Sequence, residues 1–303
     1  MSISGCLSKF LFKSHRRTVE DPHIHLGLDL MRGNLVDTFQ GEEVNFKASN
    51  GDIVNGMHFK GNMDAAIIFL HGNACFYETS FQKPLLWVQS IFEKTGGKKP
   101  HLVIFNPRGT GKSSGITETV KVAEDFRVIF HYLTGSYKVS PSKVAISGHS
   151  MGGYFGAFGA ALIQAQFPKH TIHFLSDRSL SSLEDRMTLK LKSENYSYVS
   201  SLVIKGAFSI YGCKKSPIAA MKTLKGRVCI IFHKGDGVIP YEQSTHFAAE
   251  KEAFPRPYTS IELFEKSGEK TLSATAHNRE LDDQENERIV IELMKMLGLA
   301  SKA

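Results

Sequence analysis

Cysteine is scarce in this chain of 303 residues: four are present, at positions 6, 75, 213 and 229, with no pairing or metal-ligand spacing among them. That argues against a disulfide framework and a thiolate metal site, and it points to a reducing compartment. Long apolar runs are missing too, so no stretch matches the roughly 20 residues that cross a bilayer as a helix. No paired carboxylates or metal-spaced His/Cys cluster stands out as a reactive centre, and His23-x-His25 alone is weak evidence for a metal site, so no metal is expected. Internal repeats are absent. Acidic residues are absent from the first seventeen positions, where Lys9, Lys13, Arg16 and Arg17 are interleaved with Ile3, Leu7, Phe10, Leu11 and Phe12.

What is present is ample core material, 42% hydrophobic residues, with a formal net charge of +7. The length suits one α/β domain. The most informative segment is Gly148-His149-Ser150-Met151-Gly152-Gly153, placed directly after the apolar run Val144-Ala145-Ile146. A strand, a sharp turn and a helix around Gly-x-Ser-x-Gly make a nucleophile elbow, in which Ser150 takes a strained backbone conformation. Side chains two residues to either side would collide across such a turn, hence Gly148 and Gly152. The bland alternative is an ordinary glycine-rich turn. Against it stands Ala65-Ala66-Ile67-Ile68-Phe69-Leu70, a buried-strand run that leads into His71-Gly72-Asn73-Ala74. Acyl transfer needs two backbone amides aimed at the developing oxyanion; one falls to Met151, after the nucleophile, the other to Asn73 or Ala74. Gly72 allows the close backbone approach, and His71 is expected to brace the loop rather than react.

With these motifs the chain resembles the α/β-hydrolase superfamily, over nearly its whole length after residue 40. The resemblance implies a mostly parallel, twisted central sheet flanked by helices, a cap inserted after the sixth strand, and the chain order nucleophile, acid, histidine. Thr171–Leu175 reads as the strand after the nucleophile's and Val228–His233 as the next, ending in Lys234-Gly235-Asp236-Gly237-Val238-Ile239-Pro240, so Asp236 is the expected acid. Asp177 is the competing acid, since some hydrolases take theirs from the preceding strand. A last strand near Thr259–Phe264 and a loop of small residues place His277 as the general base. Ser150 would attack, His277 would take its proton, and Asp236 would fix the imidazole tautomer. His173, His233 and His246 read as core or surface residues with satisfied ring nitrogens.

The turn Asn106-Pro107-Arg108-Gly109-Thr110-Gly111-Lys112-Ser113-Ser114-Gly115 looks like a nucleotide loop, but it misses both the P-loop and the dinucleotide patterns by one residue. The hydrolase resemblance explains it as a structural Arg-Gly-x-Gly-x-Ser turn, and no cofactor is expected. Its departure is Asn106, near a position where aspartate is common. His-Gly-Asn-Ala, this turn and the run Ser179–Asp185 are also similar to a branch of membrane-associated hydrolases.

Residues 1–40 are expected to form a basic, amphipathic extension and 41–303 the hydrolase domain, with the cap at about 177–226. Residues 1–17 could lie on an anionic membrane surface, or be a disordered or core-docked terminus; acylation of Cys6 would be a further route. The cap is basic and apolar, which suits an acyl chain joined to an anionic group, as in a phospholipid, lysophospholipid or acyl-thioester; a solvated basic face is the alternative. Nucleic acid is not expected, because no recognition motif accompanies the charge. The leading expectation is a serine esterase or lipase on lipid-like carboxylic esters. The same machinery serves thioesterases and peptidases, and a silent binding protein would keep the fold without the chemistry. The expected location is cytoplasmic and membrane-peripheral, with a secreted effector lacking a cleaved signal as the alternative.

Overall fold

The computed structural model describes residues 12–186, 188, 215–255, 257–265 and 274–299. Two helices come first, α1 (Lys13–Glu20) and α2 (Ile24–Phe39). Eight strands follow: β1 (Glu42–Lys47), β2 (Ile53–Phe59), β3 (Ala66–Leu70), β4 (His101–Phe105), β5 (Val144–His149), β6 (His173–Asp177), β7 (Val228–His233) and β8 (Thr259–Leu263). They form one sheet in the order β1-β2-β4-β3-β5-β6-β7-β8. Strand β2 pairs antiparallel with β1 and β4, and the other pairs are parallel. This is the α/β-hydrolase fold.

The remaining helices lie between the strands or after the last of them. They are α3 (Tyr77–Ser80) and α4 (Gln82–Thr95) after β3, α5 (Thr119–Ser136) after β4, α6 (Met151–Gln166) after β5 and α7 (Pro217–Lys222) before β7. After β7 comes α8 (Thr245–Lys251), and after β8 come α9 (Ala274–Asn278) and α10 (Asp283–Met296). The central strands are buried along almost their whole length and mostly apolar because both faces of the sheet are covered. Alternation still sorts them: Ile68 and Leu70 pack with Phe126, Phe130 and Ala157, while Ile67 and Phe69 pack with Trp87, Ile91 and Leu293. Phe12 belongs to the first of these layers and Leu35 to the second, so the N-terminal helices share the core of the sheet.

Strands β3 and β8 are each one residue shorter than their sequence-based runs, and β6 is shifted. Strand β6 starts at His173, not Thr171, because the Thr171 amide donates to Ser142 Oγ (3.1 Å) and the Ile172 amide to Gln164 Oε1 (3.2 Å). The shift makes Asp177 the last residue of the strand, opposite His149. Of the expected cap, residues 187 and 189–214 lie outside the described residues, as do residues 1–11 of the basic N-terminus. Among the described residues no helix is long and apolar enough to cross a membrane.

Candidate active site

Ser150 sits between β5 and α6 with φ 55° and ψ −121°, a region that L-residues enter only when the surroundings force it. The surroundings are tight. A Cβ on Gly148 would lie 2.3 Å from the Gly152 carbonyl, and one on Gly152 would lie 2.1 Å from the Leu70 oxygen. The Ser150 amide donates to the Asp177 carbonyl (2.8 Å), and Ser179 Oγ donates to the Ser150 carbonyl (2.7 Å), which ties the turn to the end of β6. Met151 opens α6, so its amide has no acceptor within the helix.

His277 lies on α9, and its Nδ1 is 2.6 Å from Asp236 Oδ2. Asp236 Oδ1 accepts the amides of Val238 and Ile239, both at 2.8 Å, which fixes the carboxylate. Both side chains are buried. Ser150, Met151, Asn73 and His277 open onto one cavity of about 450 Å³, walled by Leu180, Val238 and Ile239 and edged by Lys13 and Arg186.

After β3 the chain turns through Asn73 and Ala74, the latter at φ 67°. The Ala74 amide donates to Asn73 Oδ1 (3.0 Å), so it is committed within the loop. His71 is buried; its Nδ1 lies 2.8 Å from the Gly72 oxygen and its Nε2 3.1 Å from Asn106 Oδ1. Asn106 also accepts from the Tyr77 amide (3.0 Å) and donates to Glu78 (3.0 Å), so the asparagine joins the loop after β4 to the loop after β3. Arg108 is buried on Asp125 (2.5 Å) and Glu124 (2.7 Å), which ties the turn after β4 to α5. Burial pushes the Cys75 thiol up, which disfavours the thiolate.

The structure separates the two candidate acids. Asp177 faces His149 Nδ1 (3.0 Å), Lys83 Nζ (2.8 Å) and Arg178 Nε (2.8 Å). Burial alone would raise its carboxyl, but Arg178, Lys83 and His149 hold it well below the usual carboxylate range. Sequence reasoning did not find this cluster as a unit. The His149 ring rests against that of His277, with centroids 4.9 Å apart. Burial first, and then the Lys83 charge, hold His149 well below an ordinary histidine, so a neutral ring flanks His277. Arg178 Nη1 reaches the carbonyls of Ala276 (3.2 Å) and Arg279 (3.3 Å), on both sides of His277 in the chain. The register of His149 with Asp177 is the one clue a sequence pairing of β5 with β6 could have offered.

Among the described residues no group of three or more His, Cys, Asp or Glu side chains could hold a metal ion.

The arrangement is that of an α/β-hydrolase elbow with a His–Asp pair beside it. No family model matches the chain. Two curated relatives are multifunctional-autoprocessing repeats-in-toxin proteins. That of Vibrio vulnificus is 25% identical over 186 residues, 58% of this chain and 3% of the toxin. That of Vibrio cholerae is 27% identical over 146 residues, 48% of this chain and 3% of the toxin. Among solved structures, an alpha-beta hydrolase from Vibrio vulnificus has a TM-score of 0.68 at 20% identity, over 96% of this chain and 94% of that one. An esterase of Pyrococcus furiosus has a TM-score of 0.62 at 14% identity, over 85% of this chain and 91% of that one. At such identities the likeness establishes the fold.

Proposed function

We propose that this protein is a serine hydrolase that cleaves carboxylic esters of lipid-like molecules through an acyl-enzyme on Ser150. One observation carries the reading: a serine held at positive φ shares a cavity with a histidine whose Nδ1 is engaged by a fixed carboxylate. With Nδ1–H committed to Asp236, Nε2 is left as the acceptor for the Ser150 proton. Ser150 Oγ then attacks the ester carbon, and the amides of Met151 and Asn73 stabilise the oxyanion. His277 passes its proton to the departing alcohol and next activates the water that releases the acid. The structural likeness to alpha-beta hydrolases and an esterase supports a hydrolase.

The lipid-like part of the proposal rests on the walls of the cavity. Met151, Leu180, Val238 and Ile239 offer an apolar lining for an acyl chain, and the cations Lys13 and Arg186 at its edge suit an anionic group on the same molecule. The test is hydrolysis of 4-nitrophenyl esters of two to sixteen carbons and of a lysophospholipid by wild type and Ser150→Ala. Turnover that rises with chain length and is abolished by the substitution supports the proposal. Turnover that survives in Ser150→Ala refutes the acyl-enzyme, and preference for the shortest ester refutes the lipid assignment.

A further inference from the structure

We infer that α1 is a working part of the active site: the main-chain amide of Lys13 positions Asn73, and thereby the oxyanion donor that the proposed reaction uses. The inference rests on the serine-hydrolase reading above.

The Lys13 amide donates to Asn73 Oδ1 at 2.8 Å, across sixty residues of sequence. The Ala74 amide (3.0 Å), from within the same irregular loop, also donates to this oxygen. Lys13 is the first residue of α1, where an amide has no acceptor inside the helix and is free to serve elsewhere. The rest of α1 holds that amide in place. The ring of Phe12 is buried against Phe155 of α6, with centroids 5.7 Å apart. Arg17 donates to the Ala74 carbonyl (3.2 Å), and its guanidinium lies over the Phe76 ring, 5.3 Å from the centroid. Thr18 Oγ1 accepts the Gly111 amide (2.8 Å), and the His15 ring bonds the Gly109 carbonyl. The helix is thus anchored to α6 and to the turn after β4, and it presents one amide to the loop after β3. Oxyanion donors act by being fixed before charge develops. Asn73 is held from both sides by backbone amides, and Lys13 supplies the half that its own loop cannot. Lys13 is a positioning residue in this scheme.

Lys13→Pro tests this with little disturbance. Proline is tolerated at the first helical position, and Phe12 already lies at φ −117° and ψ 104°, the extended conformation favoured before proline. The substitution removes the N–H, whereas Lys13→Ala keeps the N–H and removes the ammonium. The rate of Ser150 phosphonylation by a fluorophosphonate reports transition-state stabilisation, and thermal melting reports the fold. The expected result is slowing of Lys13→Pro by about ten-fold or more relative to Lys13→Ala, which also lacks the ammonium but keeps the N–H, a fraction of the 10²–10³ lost when an oxyanion donor is deleted. Asn73→Leu, which keeps its own backbone amide but loses Oδ1, should slow to the same degree, and adding Lys13→Pro to it should change nothing further. A merely structural helix would give additive losses that follow the melting temperature. Wild-type rates in Lys13→Pro or Asn73→Leu overturn the inference while leaving the serine-hydrolase reading intact; equal slowing in Lys13→Ala overturns it in favour of the side chain. If the wild type itself does not label at Ser150, the underlying reading falls instead.

Discussion

Asp236→Asn isolates the tautomer that the proposed reaction requires. In the wild type one carboxylate oxygen faces His277 Nδ1 at 2.6 Å, and the other accepts the amides of Val238 and Ile239, both at 2.8 Å. Asparagine has one acceptor and one donor to divide between these partners. With its oxygen toward the two amides it keeps both bonds, and its NH₂ then faces Nδ1 and drives the imidazole proton to Nε2, the atom that must accept from Ser150. The opposite orientation keeps the useful tautomer but sets NH₂ against two N–H groups, forfeiting two hydrogen bonds at about 1 kcal/mol each with added repulsion. The unproductive tautomer therefore dominates by ~2–3 kcal/mol, about 10²-fold, since 1.4 kcal/mol is a factor of ten. Loss of the carboxylate charge beside the developing imidazolium removes a further factor of similar size, giving a fall of about 10⁴ in kcat. Steady-state hydrolysis of 4-nitrophenyl butyrate, read beside the melting temperature, measures it. A folded Asp236→Asn protein that keeps more than about a tenth of wild-type kcat would refute the assignment. Asp177→Asn should behave differently. It leaves Lys83 and Arg178 without their buried counter-ion, so about 3–5 kcal/mol of stability is lost and kcat of the remaining folded protein falls far less than in Asp236→Asn.

Further outcomes follow from geometry. Ser150→Gly and Ser150→Ala should both be inactive, yet the glycine variant should melt higher, by about 1 kcal/mol in stability, because glycine accepts φ 55° without strain. Gly152→Ala would drive a Cβ to 2.1 Å from the Leu70 oxygen and 2.5 Å from the His71 oxygen; a stability loss of about 3 kcal/mol or more by chemical denaturation is expected, and a wild-type melt would contradict the packing described. Burial first, and then the neighbouring His101, lower His58 to about 4. The unfolded chain takes up this proton near pH 6.5 and the folded protein only near 4, so stability should drop as pH falls through that window, by at most ~3 kcal/mol. His58→Gln should flatten this part of the pH–stability curve, and an unchanged slope would exclude His58 as its source.

The parts of the site legible in the sequence are those whose signal is local. The elbow announces itself by glycines that leave no room for a Cβ, and the Asp236 turn by a carboxylate two and three residues before the amides it accepts. The central strands were readable because a sheet covered on both faces needs continuous apolar runs; their ends were less so, since β6 begins where side chains of Ser142 and Gln164 stop capturing its amides. What stayed hidden depends on distant partners. Lys83 and Asp177 are 94 residues apart, as are His15 and Gly109, and neither charge nor spacing marks such pairs. The basic N-terminus illustrates the limit: its composition suited a membrane surface as well as docking, and of the apolar residues on that segment Phe12 alone is described, buried against α6.

The tethering of the three reactive groups is uneven. Ser150 is pinned by its amide to the end of a central strand, whereas His277 hangs on Asp236 and on two carbonyls gripped by Arg178. In native-state hydrogen exchange, the Ser150 amide should be released only with global opening of the sheet, and the backbone around His277 in smaller, more frequent excursions. Such a molecule loses its base before it loses its fold, so heating would abolish turnover while the sheet and its nucleophile are still assembled, and cooling would restore it without refolding.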